Sequence, residues 1–172
     1  MPPPTATHRI GRIKCGTESN GGFKNITIAN CVFDQCRGIA LETVDGANCE
    51  DITITGITMR GGFQCPLFMR LGRRMRGPEG VPAGTLKRVI VSNITSSNSS
   101  ALPSIIAGLA DCPVQDVKIS EVFLHQLGGG SAELARRQPP EEEARYPEPT
   151  MFGELPATGF FIRHVRNVDV DR

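Results

Sequence analysis

The sequence predicts an all-β protein built as a parallel solenoid, and three observations carry that expectation. Five apolar segments repeat in one register: 23–33, 49–59, 86–94, 114–124 and 165–170. Aligned, they put Ile26, Ile52, Val89, Val117 and Val168 in one column and Ile28, Ile54, Val91, Ile119 and Val170 in the next. Within each copy β-branched residues alternate with polar ones, the pattern of half-buried strands. No helical periodicity separates the copies, so like coils are expected to stack on like.

The elements follow in chain order. The first copy, Phe23-Lys-Asn-Ile-Thr-Ile-Ala-Asn-Cys-Val-Phe33, comes after a Gly-rich turn, and the second is Cys49-Glu-Asp-Ile-Thr-Ile-Thr-Gly-Ile-Thr-Met59. Measured at Asn25, Asp51, Arg88, Asp116 and Asn167, the copies lie 26, 37, 28 and 51 residues apart. Short spacings read as bare coils and long ones as coils carrying loops, the usual place for function on a rigid scaffold. Secondary apolar segments at 38–41, 66–71, 104–107 and 159–163 give every coil at least two strands, as a parallel β-helix requires. Asn30 and Asn93 share one coil position and read as stacked turn residues that satisfy backbone groups. Two loop insertions stand out, at about 72–85 and 126–157. The second is rich in Gly, Pro and Glu, which predicts no packed element of its own beyond a short helix near 131–136.

With 172 residues the chain is one domain, 1–172, able to bury a core. A net charge of +1 calls for neither a nucleic acid nor an anionic membrane as partner. No apolar run reaches spanning length. The start, Met-Pro-Pro-Pro-Thr-Ala-Thr-His, has neither the basic nor the apolar part of a signal peptide. Six cysteines without a Cys-x-x-Cys, and three scattered histidines, argue against a metal site. Cys49 and Cys31 fall in apolar columns and read as small core residues, while Cys31 and Cys36 are close enough for a local bridge in an oxidising compartment.

The stretch Gly16-Thr-Glu-Ser-Asn-Gly-Gly-Phe-Lys-Asn-Ile-Thr-Ile-Ala-Asn-Cys31, followed by Arg37-Gly-Ile-Ala-Leu-Glu-Thr-Val-Asp-Gly46, resembles glycoside hydrolase family 28, the polygalacturonases and rhamnogalacturonan hydrolases. Met151-Phe-Gly153 and Gly159-Phe-Phe-Ile-Arg-His164 resemble a bacterial branch of it. The resemblance implies a right-handed parallel β-helix, pectin-lyase-like, of which this chain matches the C-terminal part, a truncated stack of coils. It implies inverting hydrolysis of a uronate-containing pectic polysaccharide, pectin or rhamnogalacturonan, with no metal and no cofactor. A full-length parent would then be extracellular or periplasmic. The family's catalytic Asn-Thr-Asp and Asp-Asp motifs do not occur here, so no catalytic residue is assigned and this chain alone is expected to be inactive. Its Gly-His-Gly segment aligns with Ile10–Cys15, which holds no histidine, His8 lying outside it. Its Arg-Ile-Lys signature aligns with Ala40-Leu41-Glu42, and both departures point to a divergent exo-acting or rhamnogalacturonan-type member.

The candidate substrate-binding residues are Arg12, Lys14, Glu18, Asn20, Glu42, Arg70, Arg163 and His164. Arg12, Lys14, Glu18 and Asn20 lie on the segment that the resemblance places at the cleft edge, where cations complement uronate carboxylates; the plain alternative is an exposed polar turn. Glu42 accepts sugar hydroxyls or pairs with Lys14, against a solvated strand residue. Arg70, with Arg73, Arg74 and Arg76, forms the densest cationic cluster, a glycan clamp or a solvated loop. Arg163 and His164 end a secondary strand, binding groups or structural ones. One rival is a non-catalytic carbohydrate-binding solenoid. Another is a polysaccharide lyase, which needs calcium-binding acidic clusters that only Asp169 and Asp171 suggest. An uncapped coil face is expected to drive self-association.

Overall fold

The computed structural model describes residues 11–171, so the expectations for His8 and for the N-terminal leader lie outside the described residues. Ten strands follow one another: β1 (Ile13–Cys15), β2 (Phe23–Asp34), β3 (Ile39–Thr43), β4 (Asn48–Gly62), β5 (Leu67–Leu71), β6 (Thr85–Asn98), β7 (Ser104–Ala107), β8 (Val114–His125), β9 (Phe160–Arg163) and β10 (Val165–Val170). The protein is all-β with two parallel five-stranded sheets, ordered β1-β3-β5-β7-β9 and β10-β8-β6-β4-β2. Parallel neighbours cannot be joined by a hairpin. Here the link between them is a strand of the other sheet.

The columns read from the sequence are the observed register. Ile26, Ile52, Val89, Val117 and Val168 pair in series, as do Ile28, Ile54, Val91, Ile119 and Val170. Except for the exposed Val170, these rows meet Ile39, Leu41, Met69 and Leu71 of the odd sheet in the main core. Burying each such side chain contributes roughly 1.5–3 kcal/mol, so the in-register repeat is the dominant source of stability.

Backbone geometry explains why the repeats share polar positions. Asn25, Asp51, Arg88, Asp116 and Asn167 all have φ between 53° and 59°, and Asn30, Gly56, Asn93 and Glu121 form a second left-handed column. Asn, Asp and Gly accept this conformation most readily. Arg88 does so within ion pairs to Asp51 and Glu50. Asn30 and Asn93 do share a position, but Gly56 lies between them, so the expected asparagine stack is interrupted. A Cβ at Gly56 would stand 2.8 Å from Asn30 Oδ1.

The long insertion corrects the sequence reading. The short helix near 131–136 is a 3-10 turn at Leu134–Arg136 with no buried residue, whereas an unforeseen 3-10 turn at Pro149–Phe152 buries Pro149, Met151 and Phe152. Met151, Phe152 and Leu155 cover the outward row Ala40, Phe68, Ile105 and Phe161 of the odd sheet, making a second core. Phe152 and Phe161 stack at 6.0 Å with a 52° tilt. Three apolar side chains, Met151, Phe152 and Leu155, thus hold an otherwise polar segment on an apolar row of the sheet.

All six cysteines are free thiols, Cys31 and Cys36 included. Cys49 and Cys65 are fully buried, and burial pushes both thiols up to about 12. Among the described residues no helix is long and apolar enough to cross a membrane.

Candidate functional site

The odd sheet presents two outward rows. One runs Lys14, Ala40, Phe68, Ile105, Phe161; the next holds Glu42, Arg70, Ala107 and Arg163. Strand alternation sends Arg12 and Lys14, two residues apart, to the same side. After Cys15 the chain turns at Gly16, whose φ of 115° and closeness to the Glu42 carbonyl leave no room for a Cβ. That turn delivers Thr17 to Glu42.

Glu42 is fully buried. Lys14 Nζ stands 2.8 Å from its Oε2, and the Thr17 hydroxyl donates to the same oxygen at 2.8 Å. Its other oxygen, Oε1, is buried without a partner. Burial pushes the Glu42 carboxyl up, and Lys14 and Thr17 only partly oppose that. The Tyr146 hydroxyl accepts from Lys14 at 3.2 Å and lies 3.4 Å from Thr17, contacts that lower its pKa. Its ring lies under two cations, Lys14 at 5.0 Å and Arg74 at 5.5 Å. Arg12 donates to both oxygens of Glu148, at 2.9 and 3.1 Å.

Arg74 pairs with Asp45 through two nitrogens, and this holds the Asp45 carboxyl below the usual carboxylate range. Glu18 lies 3.5 Å from Arg74 and 3.9 Å from Arg76. Asn20 packs beside Gly77, where a Cβ would stand 2.6 Å from its amide nitrogen.

Further along the sheet lies a separate cluster. Arg70 is 1% exposed and donates to the carbonyls of Gly108, Glu141 and Glu142 at 3.2, 2.9 and 3.2 Å. Its guanidinium lies 5.3 Å from the Phe152 ring, and burial brings its pKa down to about 10. Arg163 donates to the Pro139 and Pro140 carbonyls and to the Glu141 carboxylate. His164 Nε2 is 3.0 Å from the same carboxylate, and burial, then Arg163 and Arg70, hold its pKa low.

The eight residues singled out from sequence therefore fall into three groups. Arg12, Lys14 and Glu42 converge; Glu18 and Asn20 face the basic loop; Arg70, Arg163 and His164 grip the long insertion. The basic loop is not one cationic patch, because Arg70 is sealed in β5, Arg74 is paired with Asp45, and Arg73 reaches Asp111 and Glu143. Neither Glu42 nor Arg70 is the solvated residue of the plain alternative. Sequence reasoning missed Thr17, Asp45, Tyr146, Glu148 and Glu141. The one available signal was that Tyr146 is the chain's sole tyrosine, flanked by Pro147. Among the described residues no group of His, Cys, Asp and Glu is placed to hold a metal.

The even sheet carries two open grooves on its outer side. One of about 560 Å³ is lined by Asp51, Arg88, Asp116, Lys118 and Asn167. The other, about 910 Å³, runs past Asn93, Thr95 and the exposed Phe123. Comparison with protein-family models, curated proteins and solved structures found no match in any of the three.

The convergent site offers two cations, a hydroxyl and a sealed carboxyl. Cations of this kind form charge-assisted hydrogen bonds, the strong class of such bonds. Inverting hydrolysis instead needs two carboxyls roughly 6.5–9.5 Å apart with water between them. Glu42 and Asp45 are each already engaged by a cation.

Proposed function

We propose that the chain is the C-terminal part of a right-handed, pectin-lyase-like parallel β-helix of the polygalacturonase type. On this reading it supplies the substrate-binding scaffold for inverting hydrolysis of an acidic pectic glycan outside the cytoplasm. The observation that carries it is the convergence of Arg12, Lys14, Thr17 and Glu42 on the outward face of one parallel sheet. The alternation of strands between two in-register sheets supports the solenoid. The cations supply carboxylate recognition, and the buried Glu42 holds Lys14 in place.

A second reading, a non-catalytic carbohydrate-binding solenoid, is favoured by the engagement of both carboxyls at this site. Titration with oligogalacturonate, run beside a reducing-sugar assay, tests the glycan site that both readings share. Binding without product supports the scaffold or the binding module, product release supports a hydrolase, and absence of both removes the glycan reading. Self-association through the half-buried end rows Phe23, Ile26 and Phe33 or Val165 and Val168 belongs to the same proposal. A concentration-independent monomer by sedimentation would remove that part.

A further inference from the structure

We infer that the rim segment 144–148 is a built-in surrogate ligand, with Glu148 and Tyr146 occupying the places of a uronate carboxylate and hydroxyl; this rests on the glycan reading above. The segment is a bridge between two anchored ends. On one side Arg70 and Arg163 hold the carbonyls from Pro139 to Glu142, and the Glu143 carbonyl accepts from the Arg73 amide at 2.7 Å. On the other, Met151 and Phe152 are buried in the second core. Between the anchors, residues 144–146 are exposed, Pro147 is buried and Glu148 is half-buried.

From this bridge two polar groups reach into the site. The Glu148 carboxylate takes both hydrogen bonds of Arg12, and the Tyr146 hydroxyl sits between Lys14 and Thr17. A carboxylate on Arg12, just before β1, and a hydroxyl on Lys14 within it are the pair of groups that a uronate residue presents. The surrogate is an incomplete fit. Arg12 Nη1, Glu42 Oε1 and Arg74 Nη1 are buried without partners, on side chains exposed by 7%, 0% and 4%. Buried polar atoms of that kind are costly to leave unmatched.

The consequence is competition within the chain. An acidic glycan engages Arg12 only when Glu148 has left it, so the measured affinity is the intrinsic affinity reduced by the open fraction. Removing the competing charge raises affinity, and does so only for ligands that carry a carboxylate.

The test is calorimetric titration of trigalacturonate, and of its methyl ester, into the full chain and its Glu148→Gln and Tyr146→Leu variants, each checked for folding by urea denaturation. The expected result is about fivefold tighter trigalacturonate binding by Glu148→Gln, no gain for the ester, and loss of the gain when Arg12→Met is added. Equal or weaker binding by both variants, with the wild type binding, overturns the surrogate role and leaves the glycan reading standing. If neither the wild type nor any variant binds, the glycan reading falls and takes this inference with it.

Discussion

Replacing Arg70 tests how the long insertion is held over the site. Arg70 is 1% exposed and its guanidinium donates to three carbonyls; among the described residues no carboxylate forms an ion pair with it. Arg70→Met keeps most of the volume but removes all three hydrogen bonds and the guanidinium's contact with the Phe152 ring. Each net hydrogen bond contributes about 1 kcal/mol, and Gly108 is buried. Relief from burying an unpaired guanidinium offsets part of the loss. The expected destabilisation is about 2 kcal/mol, rising to about 3–4 kcal/mol for Arg70→Ala, which also loses packing. Urea unfolding gives the first number. Exchange of the Arg73 and Arg145 amides, which donate to the Glu143 and Glu142 carbonyls at 2.7 and 3.2 Å, gives the second readout and should accelerate even under conditions where the core stays protected. An Arg70→Met protein within about 0.5 kcal/mol of wild type, with unchanged exchange there, would refute the anchoring role.

Three further outcomes follow from particular contacts. Glu50 is held down to about 2, first by the Thr85 hydroxyl and then by Arg88, Lys24 and Lys87. Its folded pKa lies below the unfolded one, so its stabilisation is present above about pH 4.5 and is lost as pH falls toward 2. Acid titration of stability should therefore flatten in that window in Glu50→Gln, by roughly 2 kcal/mol, and curves that superimpose would contradict the ion-pair cluster. Gly16→Ala must place a Cβ against the Glu42 carbonyl at φ 115°; it is expected to cost about 2 kcal/mol and to weaken glycan binding, and a wild-type melting curve would count against the turn. Thiol labelling should reach the half-buried Cys31 and Cys112 first and the fully buried Cys49 and Cys65 last, the latter pair being pushed up to about 12. Equal rates would mean that the core opens locally.

The scaffold was legible in the sequence because its stability comes from one repeated pattern. Columns such as Ile26–Ile52–Val89–Val117–Val168 need only period-2 alternation and a constant offset to be seen. The secondary segments that became β3, β5, β7 and β9 were visible for the same reason. What could not be read was where insertions land. Residues more than 100 positions apart meet in the Arg12–Glu148 and Lys14–Tyr146 contacts, and no local period encodes such a meeting. The anchoring by Met151 and Phe152 was hidden by the surrounding Pro, Gly and Glu, which read as unpacked. Arg70 looked like part of a basic loop because Arg73, Arg74 and Arg76 follow it, yet strand alternation in β5 points it outward beneath the insertion while the loop residues find separate acids.

The measurement that bears most directly on the account is calorimetric titration of trigalacturonate into the full chain and into Lys14→Met, at low and at moderate salt. The account predicts binding that weakens as salt rises and drops roughly tenfold in Lys14→Met, since one charge-assisted contact is lost. Binding that ignores both salt and Lys14, or no binding even after Glu148→Gln frees Arg12, would contradict the assignment of this face as an acidic-glycan site.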